Sequence, residues 1–218
     1  MRIVAFVTQK GGSGKSALAS SLAVAAQETG EKVCVIDMDP QASLMSWSKA
    51  RAADDIAVIA SGAAGLPSVL AQMKAKGCTL AVIDTPDADG PASAAAMAAA
   101  HLNIIPSRPS MFDLWASAKT CAILTEIGGD FVFLLNQCPS AAKTARVRDG
   151  IEALNEMGGL VSPLIPTRGD YPEAARRGAG VTELDPNGPA ADEMRSLWGS
   201  IRRRLSRARQ NSAPLDAA

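Results

Sequence analysis

The amino-acid sequence predicts a doubly wound α/β fold, a mostly parallel sheet with helices on both faces. Three observations predict it. Short apolar runs of strand length alternate with helix-length segments along the whole chain, the pattern that builds parallel sheets from βαβ units. A glycine-rich turn containing Gly11, Gly12 and Gly14 joins the first of those runs to the first helical segment. Polar residues gather where the apolar runs end, and in open parallel sheets functional groups collect at the strands' carboxyl ends.

The elements follow in order. Residues 3–7 are a continuous apolar run, as expected of a strand covered on both faces. Residues 17–26, rich in Ala and Leu, read as the first helix. Residues 32–36 make a second buried strand that ends in Asp37-Met38-Asp39-Pro40-Gln41, and a helix carrying Leu44, Met45 and Trp47 follows. Residues 56–59 are a short third strand and 67–76 a helix. Residues 80–83 run into Asp84-Thr85-Pro86, an alanine-rich helix spans 92–100, and the strand 102–105 enters a proline-rich loop at 106–110. Residues 115–127 are helical, 131–135 form a strand ending at Asn136-Gln137, 145–157 are helical and 159–165 are the last strand. After a loop at 166–171, a short helix runs through Arg177 to the breaker Gly178. The final helix covers 190–208. One domain, residues 1–209, is expected, with a disordered tail at 210–218.

Composition narrows the class. A chain of 218 residues with 47% apolar content can bury a proper core as one domain. Formal net charge is zero, so no whole-molecule field points to nucleic acid. The distribution is uneven, because Arg202, Arg203, Arg204, Arg207 and Arg209 crowd one end. With those five of the 22 basic residues set aside, 17 remain against 22 acidic ones. The four cysteines are scattered and there is one histidine, which argues against a zinc site or a disulfide framework. No signal sequence or membrane-length apolar run is present, so a cytoplasmic location is expected.

The chemistry starts at Gln9-Lys10-Gly11-Gly12-Ser13-Gly14-Lys15-Ser16, between the first strand and first helix. In that context the backbone N–H groups of Gly11, Gly12, Ser13, Gly14, Lys15, Ser16 and Ala17 can cradle phosphates, helped by the helix dipole. Lys15 would reach the β- and γ-phosphates of ATP and the Ser16 hydroxyl would ligate Mg²⁺. Asp84, at the tip of an apolar strand, suits a second Mg²⁺ ligand, direct or through water; the alternative is an aspartate starting a turn. Asp37 and Asp39 occupy alternate positions at another strand end, with both side chains leaving on one side. On their own they are an acidic pair near phosphate.

The loop departs from the general phosphate-loop pattern, which has glycine where this chain has Gln9. Lys10-Gly11-Gly12-Ser13-Gly14-Lys15-Ser16 resembles instead the deviant Walker A motif of the ParA/MinD family, Lys-Gly-Gly-x-Gly-Lys-Ser/Thr. The resemblance covers the chain from Met1 to about Leu205, and is strongest to short ParA-type partition or cargo-positioning ATPases. It implies that Lys10 reaches across a homodimer interface to the partner's ATP, and that Asp39, in Asp-x-Asp-Pro-Gln, positions the attacking water close to Mg²⁺ with Asp37 in support. It matches Asn136 to a position that reads an adenine edge, although Asn at a strand end is also an ordinary turn residue. Pro166 and Thr167 match the loop that packs on the base. Residues 105–116 resemble the segment before the family's dimer-face helix. Asp84-Thr85-Pro86 resembles a switch segment, but Asp87-Ala88-Asp89-Gly90 replaces its usual continuation. Because the chain starts at Met1, no operator-reading domain is expected.

The arginine-rich end admits three readings. Met194, Leu197, Trp198, Ile201 and Leu205 recur at helical spacing, so the helix can dock on the sheet with its arginines solvated. Alternatively Arg202, Arg203 and Arg204, with Arg168, Arg176 and Arg177, contact DNA phosphates without reading sequence. The third reading is a MinD-like membrane helix, disfavoured because the apolar face is better used as core. The expected function is therefore an ATPase of weak intrinsic activity that dimerises on ATP. It would bind nonspecific DNA at the nucleoid and position a plasmid or protein cluster through a ParB-type or other adaptor that stimulates hydrolysis. A membrane-associated regulator and a metabolic ATPase or kinase are the alternatives.

Overall fold

The computed structural model describes residues 1–139 and 144–211, with side chains through Arg207. Its elements are β1 (Arg2–Phe6), α1 (Lys15–Gln27), β2 (Val33–Asp37), α2 (Ser43–Ala50), β3 (Ala57–Ala60), α3 (Leu66–Ala75), β4 (Leu80–Asp84) and α4 (Pro91–Ala99). Then come β5 (Leu102–Ser107), α5 (Met111–Glu126), β6 (Phe131–Leu135), α6 (Ala145–Met157), α7 (Asp170–Arg176), α8 (Val181–Leu184) and α9 (Pro189–Asn211).

The six strands pair in parallel in the order β3-β2-β4-β1-β5-β6, the doubly wound sheet that the alternation of elements predicts. The inner strands β2 and β4 are buried at all five positions, which is why they read as unbroken apolar runs. Alternation along β1 divides the core in two. Val4 and Phe6 join Leu18, Leu22 and Trp198 on the face covered by α1 and α9. Ile3 and Ala5 join Met97, Leu124 and Leu154 on the face covered by α4, α5 and α6. Ala19, Ala23, Ala25 and Ala26 of α1 are fully buried, so α1 is a central helix packed nearly all round.

The register places the strand ends side by side. Phe6 lies opposite Asp84, and Asp84 lies opposite Asp37. The chain leaving β1, the carboxylate of β4 and the carboxylate of β2 are therefore neighbours, about 5 Å apart from strand to strand.

Four expectations change. Residues 159–165 do not form a regular strand; they run beside β6 with two isolated bridges, at Phe133–Leu160 and Cys138–Pro166. Val161 and Ile165 donate to the Phe133 and Leu135 carbonyls at 2.8 and 2.9 Å, but Pro163 between them has no N–H to give. Helix α5 starts at Met111 rather than residue 115, because Ser110 caps it and accepts from the Asp113 N–H. The short helix α8 falls where the sequence reading names no element. Helix α9 extends through Asn211, so the expected tail overlaps its last turn, and residues 212–218 lie outside the described residues. Gly178 ends α7 at φ +65°, where a Cβ would stand 2.2 Å from the Arg51 nitrogen, so only glycine fits.

Met194, Leu197, Trp198 and Ile201 are at most 1% exposed, and the Trp198 Nε1–H donates to the Thr29 hydroxyl at 2.9 Å. The apolar face of α9 is thus committed to the sheet, which removes the surface that a membrane-lying helix needs. No helix among the described residues is long and apolar enough to cross a membrane.

Candidate functional site

The loop after β1 is shaped by two left-handed glycines, Gly12 at φ +73° and Gly14 at φ +91°. Gly14 is further required by close approach, since a Cβ there would lie 2.6 Å from the Asn136 amide nitrogen. That amide, at the end of β6, donates to the Ser13 carbonyl at 2.7 Å, and the Gln137 amide donates to the Gly12 carbonyl at 3.0 Å. Two side chains from a distant strand thus brace the loop from behind. Gly14 has no side chain to cap α1, and the first turn of α1 carries no acidic residue. The first N–H groups of a central helix are left facing the loop, with the positive end of its dipole.

The polar groups around that helix start are incompletely satisfied. The Ser16 hydroxyl donates to Asp84 Oδ2 at 2.6 Å. Asp84 Oδ1 and the Ser13 hydroxyl are buried with no partner among the described residues. Burial pushes the Asp84 carboxyl up to about 7, with Asp37 and Asp39 pushing the same way, against the Ser16 hydrogen bond and the Lys15 charge. A buried carboxylate with a free oxygen beside a hydroxyl is a hard-oxygen corner that suits Mg²⁺. Among the described residues no group of three or more His, Cys, Asp or Glu side chains converges on a metal position. That fits an ion which completes its shell with phosphate oxygens and water.

Asp37 and Asp39 have different jobs. Asp37 is 2% exposed and accepts from the Asp39, Leu44 and Met45 N–H groups at 3.2, 2.9 and 3.0 Å. Its carboxylate takes N–H groups from the first turn of α2 and folds the β2–α2 turn. Asp39 is half-buried, and its Oδ1 accepts from the Gln41 N–H at 2.8 Å, which leaves the other oxygen available.

The two lysines of the loop diverge. Lys15 is 5% exposed, and its ammonium pairs with Asp87. Lys10 lines a groove of about 360 Å³ with Arg108, Ser110, Phe112 and Asp113. Beside it Met111, Phe112 and Trp115 are 57, 72 and 59% exposed, with Phe112 and Trp115 edge to face at 5.6 Å. A second cavity, of about 340 Å³, opens next to the helix start between Gly14, Ala17, Asn136, Pro166, Thr167 and Tyr171. Backbone bonds from the Cys138 N–H to Ile165 and from the Thr167 N–H to Cys138, at 3.0 and 2.8 Å, hold Pro166 and Thr167 there. The Asn136 Nδ2 is committed to the loop through the Ser13 carbonyl.

The six arginines considered for DNA do not form one set. Arg168 makes a forked pair with Glu193, at 2.6 Å for the closest contact. Arg176 and Arg177 share Glu173 at 2.8 and 2.7 Å. Arg204 binds Asp130 at 2.6 Å and the Phe131 carbonyl at 3.0 Å. Arg202, Arg203 and Arg207 are exposed and pair with no carboxylate among the described residues.

Sequence reasoning missed the bracing role of Gln137 and the contacts of the 87–90 loop. Asp87 sits on Lys15, and the Gln9 amide donates to Asp89. The available signal was two carboxylates placed just after Asp84-Thr85-Pro86.

The model of the CobQ/CobB/MinD/ParA nucleotide binding domain matches residues 4–181. A protein of Gloeobacter kilaueensis named maintenance of carboxysome distribution protein A is 36% identical over 124 residues. That match spans 55% of this chain and 55% of the relative, about half the length of each. A protein of the same name from Halothiobacillus neapolitanus is 26% identical over 209 residues, covering 91% of this chain and 95% of the other. The septum site-determining protein MinD of Pyrococcus horikoshii, solved with Mg-ADP, superposes with a TM-score of 0.72 at 20% identity, over 95% of this chain and 98% of that one.

Proposed function

The chain belongs to the CobQ/CobB/MinD/ParA family of nucleotide-binding domains, and we propose that it is an ATP-driven, dimerising switch that positions a cargo. The observation that carries this reading is the pair of lysines in one loop serving different surfaces. Lys15 faces the Ser16–Asp84 corner, and Lys10 faces a groove edged by exposed aromatics. A loop that only bound nucleotide would need one of them.

In this reading Lys15 and the N–H groups of α1 hold the phosphates, and Ser16 with Asp84 holds Mg²⁺, which screens phosphate charge. Asn136, Pro166 and Thr167 face the base. Asp39 orients the attacking water, while Asp37 fixes the turn that carries Asp39. Lys10 reaches the ATP of a second copy, so ATP favours the dimer because its γ-phosphate is then contacted from both sides. Met111, Phe112 and Trp115 are the apolar area that the second copy covers. Lys10→Ala should keep ATP affinity in the monomer and lose ATP-dependent dimerisation. Sedimentation velocity with ATP and Mg²⁺ tests this, and a variant that dimerises like the parent would remove Lys10 from the interface.

The relatives named for carboxysome distribution support a protein assembly as cargo, reached through an adaptor that stimulates hydrolysis, over a plasmid held by a ParB-type protein. The track would be nonspecific DNA, which would place the protein on the nucleoid. The basic surface for it is Arg202, Arg203 and Arg207, because Arg168, Arg176, Arg177 and Arg204 already neutralise carboxylates. Replacing Arg202, Arg203 and Arg207 together with Glu should abolish ATP-dependent duplex binding and leave ATPase and dimer intact. Parent affinity should fall steeply between about 50 and 200 mM salt as counterion release weakens, and dimerisation should strengthen binding by doubling the patch. Mobility shifts on unrelated duplexes test this; undiminished binding by the folded variant would move the track surface elsewhere.

A further inference from the structure

The glycine loop is held shut by a segment of its own chain. The Lys15 ammonium pairs with Asp87, whose second carboxylate oxygen lies 3.0 Å from where a Cβ on Gly11 would stand. At the other end of the same short loop Asp89 accepts from the Gln9 amide. The Ser93 hydroxyl donates to the Ala88 carbonyl at 2.9 Å, tying the loop to the first turn of α4. The Lys15 side chain is 4% exposed and that of Asp87 51%. The carboxylate therefore reaches in from solvent and covers a buried cation.

We infer that Asp87 is a built-in competitor for the phosphate-binding lysine, a specificity-determining residue that a nucleotide must displace before it can bind. This rests on reading Lys15 as the lysine that holds phosphate. An ammonium that spends a donor and much of its charge on a carboxylate is a weaker partner for a phosphate chain. A phosphate placed there would also face Asp87 as a like charge, with Asp84 already alongside. The loop must swing away, and a polyphosphate, with several charges to offer Lys15 and the α1 N–H groups, displaces it better than a monophosphate does.

The expected size follows from population arithmetic. If the covered form outweighs the open one about tenfold, apparent nucleotide affinity is lowered about tenfold, and removing the competitor restores it. Fluorescent ADP and ATP are titrated in excess Mg²⁺ into the wild-type protein, Asp87→Asn, Asp89→Ala and Lys15→Ala, each first shown folded by circular dichroism. Asp87→Asn should bind about tenfold tighter. Asp89→Ala should shift the same way by less, since it frees one end of the loop and leaves the ion pair. Equal or weaker binding by Asp87→Asn, with wild type binding normally, overturns the competitor and leaves the phosphate-loop reading standing. Binding that survives Lys15→Ala, or is absent from both wild type and Asp87→Asn, overturns that reading and this inference with it.

Discussion

Lys15→Ala abolishes measurable ATP binding: that is the expected result of removing the buried cation on the first residue of α1. Lys15 is nearly buried, on the first residue of α1, against Asp87 and close to Asp84. Without it, phosphates would enter a corner that holds the Asp84 and Asp87 carboxylates with no ammonium from α1 to balance them. The N–H groups of the loop remain, but hydrogen bonds to charged groups contribute about 1.5–3 kcal/mol each. Losing contacts to two phosphates at that scale weakens binding by about a hundredfold to ten-thousandfold. Alanine is a good first-turn residue, and Asp87 is half-exposed and can return to water, so the variant should fold. Fluorescent-nucleotide titration reads the outcome, and near-native affinity would overturn the assignment of the loop.

The parts of this site that were legible in the sequence are those set by local spacing. The loop, the helix after it and the carboxylates at strand ends are contiguous motifs, and continuous apolar runs place β1, β2, β4 and β6 within a residue or two. What was not legible depends on residues far apart in the chain. Asp87 meets Lys15 across 72 positions, Asn136 meets the Ser13 carbonyl across 123, and Arg204 meets Asp130 across 74. An arginine reads the same in sequence whether a distant carboxylate neutralises it or not, so Arg204, which pairs with Asp130, could not be told from Arg202, Arg203 and Arg207, which pair with no carboxylate among the described residues. The misplaced elements have local causes that periodicity does not weigh. Pro163 interrupts the 159–165 ladder, and the Ser110 cap draws α5 back over residues that look like loop.

The division of labour between Asp37 and Asp39 sets up the second large effect, and it decides which carboxylate is informative to remove. Asp37 accepts three backbone N–H groups and is buried, so its loss would leave those donors without partners and disturb the whole β2–α2 turn. Asp39 makes one local bond, to the Gln41 N–H at 2.8 Å, and the loss of such a turn bond costs about 1 kcal/mol. Asp39→Ala should therefore fold, keep its phosphate contacts through Lys15 and the loop, and bind ATP. Its turnover should fall by about 10²–10⁴, the usual contribution of a group that positions or deprotonates the attacking water. An interaction made only in the transition state lowers turnover without weakening ground-state binding. ATP that binds and is not hydrolysed keeps the dimer populated, so gel filtration with ATP and Mg²⁺ should show a persistent dimer where the parent cycles back to monomer. Undiminished turnover would assign the water to another group. A variant that stays monomeric with ATP bound would separate dimerisation from nucleotide occupancy, and would leave Lys10 without a partner site to reach.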